Sequence, residues 1–394
     1  MPTNALILSG GGARASYQVG VLKAISDICP HLHNPFPVIC GTSAGAVNAA
    51  ALAAHTGEFR DAVRDLSHTW QGLEVDQVFK VGWGAQIGGA LKVLASLFSN
   101  DIGKERAVAL LDNSPLRGLL EEVIPFKNIQ KRIDNGDLEA LCITALGYSS
   151  GDSVSFFQGN QALRGWRRFR RVGTPCDISV EHLLASSAIP AVFPTVKLSK
   201  EYFGDGAMRQ MAPISSALHL GANRVFIIGV SSNRAKYHHW RYKKVPPPKH
   251  SPSIAQIIGQ LFNSAFIDSL EGDIEHLERV NDLLKLANQE RCDNTYHLRP
   301  VESLIISPSK ELDKIAGRKI RNLPPSMRYF MRRTGATAQG GGSAAASYLL
   351  FSHEYCNELM ELGYQDAMWE REAVEAFFAD EQEDDAQEPK LKSG

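Results

Sequence analysis

The chain opens on a short apolar run, Ala5-Leu6-Ile7-Leu8, which stops at Ser9-Gly10-Gly11-Gly12. Apolar residues closed off by glycines predict a buried strand followed by a tight turn. From Tyr17 the period changes. Tyr17, Val19, Val21, Leu22 and Ile25 recur at roughly helical spacing, predicting a helix. The alternation then repeats: Phe36 to Cys40 predicts a second strand, Gly41 ends it, and the small-residue stretch from Ala44 to about Ala54 predicts a second helix. Strand, glycine turn and helix, twice in succession, point to a layered α/β sheet.

Further strands are expected at Ala140–Leu146, Val154–Gln158, Arg224–Val230 and Leu304–Ile306. Helical stretches are expected from Phe59 to about Leu120, over Pro252–Ala287 and over Ser347–Phe378. Val245 to Pro252 is proline-rich, favours extended chain and is the best internal boundary. Thr334 to Ser343 reads as a flexible glycine-rich loop. Asp380 to Gly394 is polar and charged, which predicts disorder.

Composition narrows the function classes. The 394 residues hold 42 Lys+Arg against 43 Asp+Glu, a formal net charge of -1, so the broad basic surface of a nucleic-acid-wrapping protein is absent and no nucleic-acid partner is expected. The cysteines Cys29, Cys40, Cys142, Cys176, Cys292 and Cys356 are scattered, with no C-x-x-C pair. That pattern fits reduced thiols and argues against a metal finger. The N-terminus has no basic segment ahead of its apolar run, so no signal peptide is expected. Val81 to Phe98 carries Lys92 and four glycines, which disfavours a spanning helix. The expectation is a soluble cytoplasmic protein, able to sit peripherally at a membrane.

Three glycine-rich motifs carry the candidate chemistry. Gly41-Thr42-Ser43-Ala44-Gly45 is a G-x-S-x-G pentapeptide placed where a strand turns into a helix. Such a turn projects a serine hydroxyl at a helix N-terminus, where the dipole favours developing negative charge. Gly41 and Gly45 leave room for chain and substrate to approach. Gly10-Gly11-Gly12-Ala13-Arg14 can aim several backbone N–H groups into one concavity, as an oxyanion requires. A competing reading is a dinucleotide fingerprint, since Gly10, Gly12 and Ala15 satisfy G-x-G-x-x-G/A after a strand. That reading needs an acidic residue near the end of the second strand, and Ile28 to Asn48 contains none. Phe203-Gly204-Asp205-Gly206-Ala207 places a carboxylate between glycines, although a lone D-G is commonly just a turn. Upstream, Leu184 to Pro194 is apolar, punctuated by two prolines, and reads as a rigid pocket wall.

In combination and order, G-G-G-x-R at Gly10–Arg14, G-T-S-A-G at Gly41–Gly45, the A-S-S-A-I-P-x-x-F-P run and D-G-A at Asp205–Ala207 resemble the patatin-like phospholipase family of lipid acyl hydrolases. The resemblance implies a three-layer α/β/α fold with a mostly parallel central sheet and a C-terminal helical extension. It implies Ser43 as nucleophile and Asp205 as its base in a two-residue dyad. The amides of Gly10, Gly11 and Gly12 would form the oxyanion hole, with Arg14 bracing the loop. No metal and no cofactor is expected, because base and oxyanion donors are protein groups. The implied organisation is an acyl hydrolase domain over residues 4–217, a largely helical region over 218–379 packing on it, and a charged tail over 380–394. The third residue of the D-G-x element is Ala207, where glycine is often found.

The residues themselves are compatible with that chemistry. A serine hydroxyl needs an adjacent base, usually histidine, yet none of the 12 histidines lies in a glycine-flanked motif. His31 and His33 fall in a loop, and His238 and His239 in a basic run. An aspartate can serve if desolvation raises its proton affinity. The expected substrate is a phospholipid or other acyl lipid. A broader carboxylesterase or thioesterase acting on soluble acyl esters remains open, as does a catalytically silent lipid-binding regulator. Arg164 to Arg171 (RGWRRFRR) and Arg234 to Lys244 (RAKYHHWRYKK) interleave basic and aromatic residues, a pattern that suits transient contact with anionic headgroups and equally a solvated or RNA-contacting surface. Val81 to Phe98 is a candidate lid or interfacial helix, a pattern that an ordinary buried helix also explains.

Overall fold

A computed structural model of the chain describes residues 3–80, 109–210, 212–231, 269–286, 299–323 and 343–379, with a few positions within 257–264 and 325–329. The Val81–Phe98 segment, the Arg234–Lys244 run, the Val245–Pro252 break, nearly all of the Thr334–Ser343 loop and the tail from residue 380 lie outside the described residues.

The chain begins with β1 (Asn4–Leu8), a 3-10 turn (Gly12–Ala15), α1 (Ser16–Ile28), β2 (Val38–Thr42) and α2 (Ala44–Ala54). The helices α3 (Phe59–Gln71), α4 (Val75–Val78), α5 (Ser114–Val123) and α6 (Lys127–Asn135) lead into β3 (Ala140–Gly147) and β4 (Ser153–Gly159). Next come β5 (Trp166–Arg168), β6 (Arg171–Pro175), α7 (Val180–Ser186), β7 (Val196–Leu198), β8 (Glu201–Asp205), α8 (Pro213–His219) and β9 (Arg224–Ile228). The remaining elements are α9 (Ser269–Leu286), β10 (Glu302–Ile306), α10 (Leu312–Lys319), α11 (Ser343–Leu349), α12 (His353–Trp369) and α13 (Arg371–Phe377).

The strands form one sheet in the order β10-β9-β1-β2-β3-β4-β6-β5, with β8 paired to β3 and β7 to β8. The five strands from β10 to β3 are parallel. On the far side, β4 runs antiparallel to β3. Strand alternation explains the layers: successive side chains point to opposite faces. Leu6, Leu8, Ile39, Ile143 and Phe226 share a core with α1, α2, α3 and α12. Ala5, Ile7, Val38, Cys40, Cys142 and Val225 share a second core with residues of α8 and α9. Both faces of the sheet are covered, which makes the α/β/α layering of a mostly parallel sheet.

The expected helix from Phe59 to Leu120 is broken. Gly72 ends α3, and α5 restarts with Pro115 in its first turn, a position proline suits because the missing N–H has no partner there anyway. The expected Ser347–Phe378 helix is three helices, interrupted at 350–352 and at Glu370, where the backbone leaves helical geometry at Ser352. The β5 to β8 strands had no counterpart in the apolar pattern, being short and partly charged. The sheet also extends past residue 217, since β9 pairs with β1 and β10 with β9. The C-terminal helix α12 lies directly on α1. A Cβ on Gly20 would fall 1.9 Å from the Met360 carbonyl oxygen, and one on Gly363 would fall 2.2 Å from that of Tyr17.

Candidate active site

The site is assembled where β2 and β8 meet end to end. One edge of β3 pairs with β2 up to Thr42, opposite Thr144. From Ala145 onward β3 pairs with β8, with Asp205 opposite Ala145. β4 occupies the other edge of β3 throughout, so β8 arrives in the lane that β2 has just vacated. Ser43, the first residue after β2, and Asp205, the last of β8, are thereby brought together from 162 positions apart in sequence. The Ser43 Oγ donates a hydrogen bond of 2.6 Å to Asp205 Oδ2.

Ser43 adopts φ 55°, ψ -129°, a left-handed position that costs a non-glycine residue about 1–3 kcal/mol and persists only where the surroundings enforce it. Here they do. Its N–H donates to Ser186 Oγ at 2.8 Å, and the Ser186 hydroxyl in turn donates to the Thr144 carbonyl at 2.6 Å. Its carbonyl accepts from Ala46 N–H at 2.9 Å, the first bond of α2. The flanking glycines are required by contact distance. A Cβ on Gly41 would sit 2.5 Å from the Gly45 carbonyl oxygen, and one on Gly45 would sit 2.4 Å from that of Leu8. The turn is thus wedged against the end of β1.

Asp205 is fully buried. Burial pushes its carboxyl up from the ordinary 3.8 to about 7, against the opposing pull of hydrogen bonds from Ser43 and from the Ala207 N–H at 3.0 Å. Its own N–H donates to the Ala188 carbonyl at 2.9 Å. The run containing Ser186 and Ala188 therefore fixes Ser43 with one residue and Asp205 with another. The apolar run is expected to form a pocket wall, and Ser187, Ile189 and Phe193 line a pocket; Ser186 adds an anchor that the apolar pattern does not signal. Tyr148 leans over Gly204, and burial together with the Asp205 charge raises its phenol pKa.

The glycine loop lies beside this pair. Gly12 has φ +54°, and a Cβ there would fall 2.2 Å from the Tyr348 carbonyl oxygen, so both conformation and space demand glycine. Among the described residues, nothing accepts a hydrogen bond from the N–H groups of Gly10, Gly11 or Gly12. Arg14 is buried; its Nε donates to Ser347 Oγ at 2.7 Å, and its guanidinium stands 4.1 Å from the centre of the Tyr348 ring. The clamp on the loop is therefore supplied by α11, more than 300 residues later. A second tether is polar and buried. Gln18 Nε2 donates to the Ser9 carbonyl (2.8 Å), Asn48 Nδ2 to Gln18 Oε1 (2.9 Å), and Trp70 Nε1 to Asn48 Oδ1 (2.8 Å). Such satisfied networks hold one geometry, because each broken link leaves a buried polar group unpaired.

Trp70 belongs at once to that network and to a cavity of about 770 Å³, counting its open mouth, that begins at Ser43 and Gly12. Val47, Leu66, Leu119, Phe193, Tyr348 and Phe351 make its lining overwhelmingly apolar. Trp70 and Phe351 stack at 6.4 Å within it. Among the described residues, no histidine hydrogen-bonds to Ser43 or Asp205. His182 instead closes the first turn of α7 with Ser179, and burial lowers its pKa. His219 stacks on Trp166.

A serine on a strand-to-helix turn, a buried carboxylate bonded to it and an adjoining apolar cavity thus stand together in one place. Residues 6–218, more than half of the chain, match the Patatin-like phospholipase family, and the chain belongs to that family. No curated protein sequence matches it significantly. Among solved structures, it is similar to VipD from Legionella pneumophila, with 13% identity and a TM-score of 0.41 over 95% of this chain and 67% of that one. It is also similar to human GIVD cytosolic phospholipase A2, with 10% identity and a TM-score of 0.47 over 95% of this chain and 60% of that one. The same human protein in complex with methyl gamma-linolenyl fluorophosphonate gives 11% identity and a TM-score of 0.42, over 96% and 58% of the respective chains. This chain thus spans 58% to 67% of the length of those structures. Among the described residues, no helix is long and apolar enough to cross a membrane.

Proposed function

We propose that the protein hydrolyses a fatty-acyl ester of a phospholipid through a Ser43–Asp205 dyad. The observation that carries this reading is the 2.6 Å bond from Ser43 Oγ to Asp205 Oδ2 beside an apolar cavity that Ser43 lines. The acyl chain enters the cavity and sets its ester carbonyl against Ser43. Asp205 takes the Ser43 proton as Oγ attacks the carbonyl carbon, a role suited to a carboxylate whose proton affinity burial has raised to near neutrality. The oxyanion gathers the N–H groups of Gly10, Gly11 and Gly12, with Arg14 bracing that loop. The ester C–O bond then breaks, the leaving lyso-lipid oxygen takes the proton from Asp205, and an acyl-Ser43 ester remains. Water, deprotonated by Asp205, attacks that ester; as the acyl C–O bond breaks, Asp205 returns the proton to Ser43 Oγ and the fatty acid leaves. Every proton is handled by one carboxyl group, and no histidine is needed.

The enzyme reaches its substrate by transient contact with a membrane surface. Purified protein incubated with mixed phospholipid vesicles is expected to release lyso-lipid and free fatty acid, with Ser43→Ala silent. Turnover of short soluble esters alone, with vesicle lipid untouched, would make it a general esterase. Turnover by Ser43→Ala would remove Ser43 from the mechanism.

A further inference from the structure

The strand register places two unexpected hairpins at the same end of the sheet as Ser43 and Asp205. Arg171, at the start of β6, pairs with Ser153, which lies opposite Leu146 on β3. The β5–β6 turn at Phe169 and Arg170 therefore falls just beyond the level of Ala145, where Asp205 sits. β8, traced back from Asp205, passes Phe203 opposite Gly147, and the Tyr202 carbonyl accepts from Tyr148 N–H. The β7–β8 turn at Ser199 and Lys200 projects past that same end.

What these tips present is unusual for a solvated edge. Phe169 is 84% exposed, Tyr202 48% and Tyr148 44%. Arg167, Arg168, Arg170, Lys197 and Lys200 are exposed around them. Arg170 has φ 57°, so an arginine occupies a turn position where glycine or asparagine would fit with less strain. Its guanidinium donates to the Ser150 carbonyl at 3.1 Å, joining the hairpin tip to the Tyr148–Ser150 turn. The Lys197 ammonium stands 5.9 Å from the centre of the Tyr202 ring. Two carboxylates share the region and both are engaged: Asp152 with Arg170 at 4.0 Å, and Glu201 with the Ser150 N–H at 2.6 Å.

We propose that this end of the sheet is a docking face for an anionic phospholipid surface, seated by Phe169, Tyr148 and Tyr202 and held by Arg167, Arg168, Arg170, Lys197 and Lys200. The choice of occupant rests on the lipid-hydrolase reading, and the test is a binding measurement that needs no turnover. Aromatic and basic side chains on turn tips match an interface, where rings seat at headgroup depth and cations meet phosphate. Phe169 stands on the β5–β6 turn, apart from the neighbouring Tyr148 and Tyr202, unlike the continuous stacking platform along a groove that a single-stranded nucleic acid uses.

The full-length chain is to be mixed with phosphatidylcholine vesicles with and without phosphatidylglycerol, at low and high salt, and bound protein measured by flotation. Binding is expected to require phosphatidylglycerol and to weaken with salt. Arg168→Gln combined with Arg170→Gln should weaken it by about fivefold per charge, roughly 30-fold together. Arg168→Lys with Arg170→Lys should keep most of it. Phe169→Ala should weaken it several-fold. All these variants should turn over a soluble short-chain ester as the parent does. Unchanged binding by the double glutamine variant, equal binding to pure phosphatidylcholine, no vesicle binding at all, or tighter binding to RNA than to vesicles would each overturn the proposal. Vesicle binding without any hydrolysis would overturn the hydrolase reading and leave the docking face standing.

Discussion

Asp205→Asn separates what the buried carboxyl does for catalysis from what it does to stability. The Asp205 side chain has no exposed surface, and burial lifts its pKa to about 7. In the unfolded chain the same group loses its proton near pH 4. Between about pH 4 and pH 7 the folded state therefore binds more protons than the unfolded state, and stability falls as pH rises through that window. The loss approaches about 1.4 kcal/mol per pH unit, on the order of 4 kcal/mol over the whole window. Asparagine keeps the shape and an acceptor for Ser43 but carries no charge to desolvate. Guanidinium unfolding of both proteins at pH 5 and pH 8 measures the difference. The stability of Asp205→Asn relative to the parent should rise by roughly 2–3 kcal/mol between those pH values, while ester hydrolysis collapses. A relative stability that is the same at pH 5 and pH 8 would refute the claim that this carboxyl is held near neutrality by burial.

The same carboxyl sets the pH profile: kcat/KM for a soluble ester should climb through a single midpoint near pH 7 as Asp205 ionises, and a flat profile from pH 5 to 9 would contradict its role as base. Ser347→Ala removes the acceptor of the Arg14 Nε bond, and Arg14→Gln removes the clamp itself. Each should lower kcat by roughly 10- to 100-fold with little change in KM, somewhat less than the ~10²–10³ lost with an oxyanion donor; normal kcat in folded protein would mean the loop holds itself. His182→Ala should leave turnover within a few-fold of the parent while costing about 1 kcal/mol in chemical denaturation through the lost helix cap; abolished acylation would restore a histidine to the mechanism.

The parts of the fold legible in sequence were those written in local apolar pattern. β1, α1, β2 and α2 appear within a few residues of where period and glycine punctuation put them, because buried parallel strands and their crossover helices are continuous or periodic apolar runs. β5 to β8 escaped because they are three to five residues long and belong to a sheet edge and a side branch, where charge is tolerated. Ser43 and Asp205 are legible as polar residues in glycine-flanked motifs; their pairing is implied by the family resemblance and not by local pattern, since it depends on β8 taking over the lane of β2 along β3. Ser186 left only the faint signal of a serine in an apolar run. Ser347 and Tyr348 left none, because a contact between positions 14 and 347 has no local trace.

Covalent chemistry at Ser43 is the most direct test of the proposed mechanism. A medium-chain p-nitrophenyl ester should give a burst of nitrophenol at high protein concentration, and acid quenching followed by peptide mass spectrometry should find the acyl group on Ser43. Asp205→Asn should slow the burst and Ser43→Ala should eliminate it, with no adduct elsewhere on the chain. An acyl group on a different residue, or full hydrolysis by Ser43→Ala, would contradict the account.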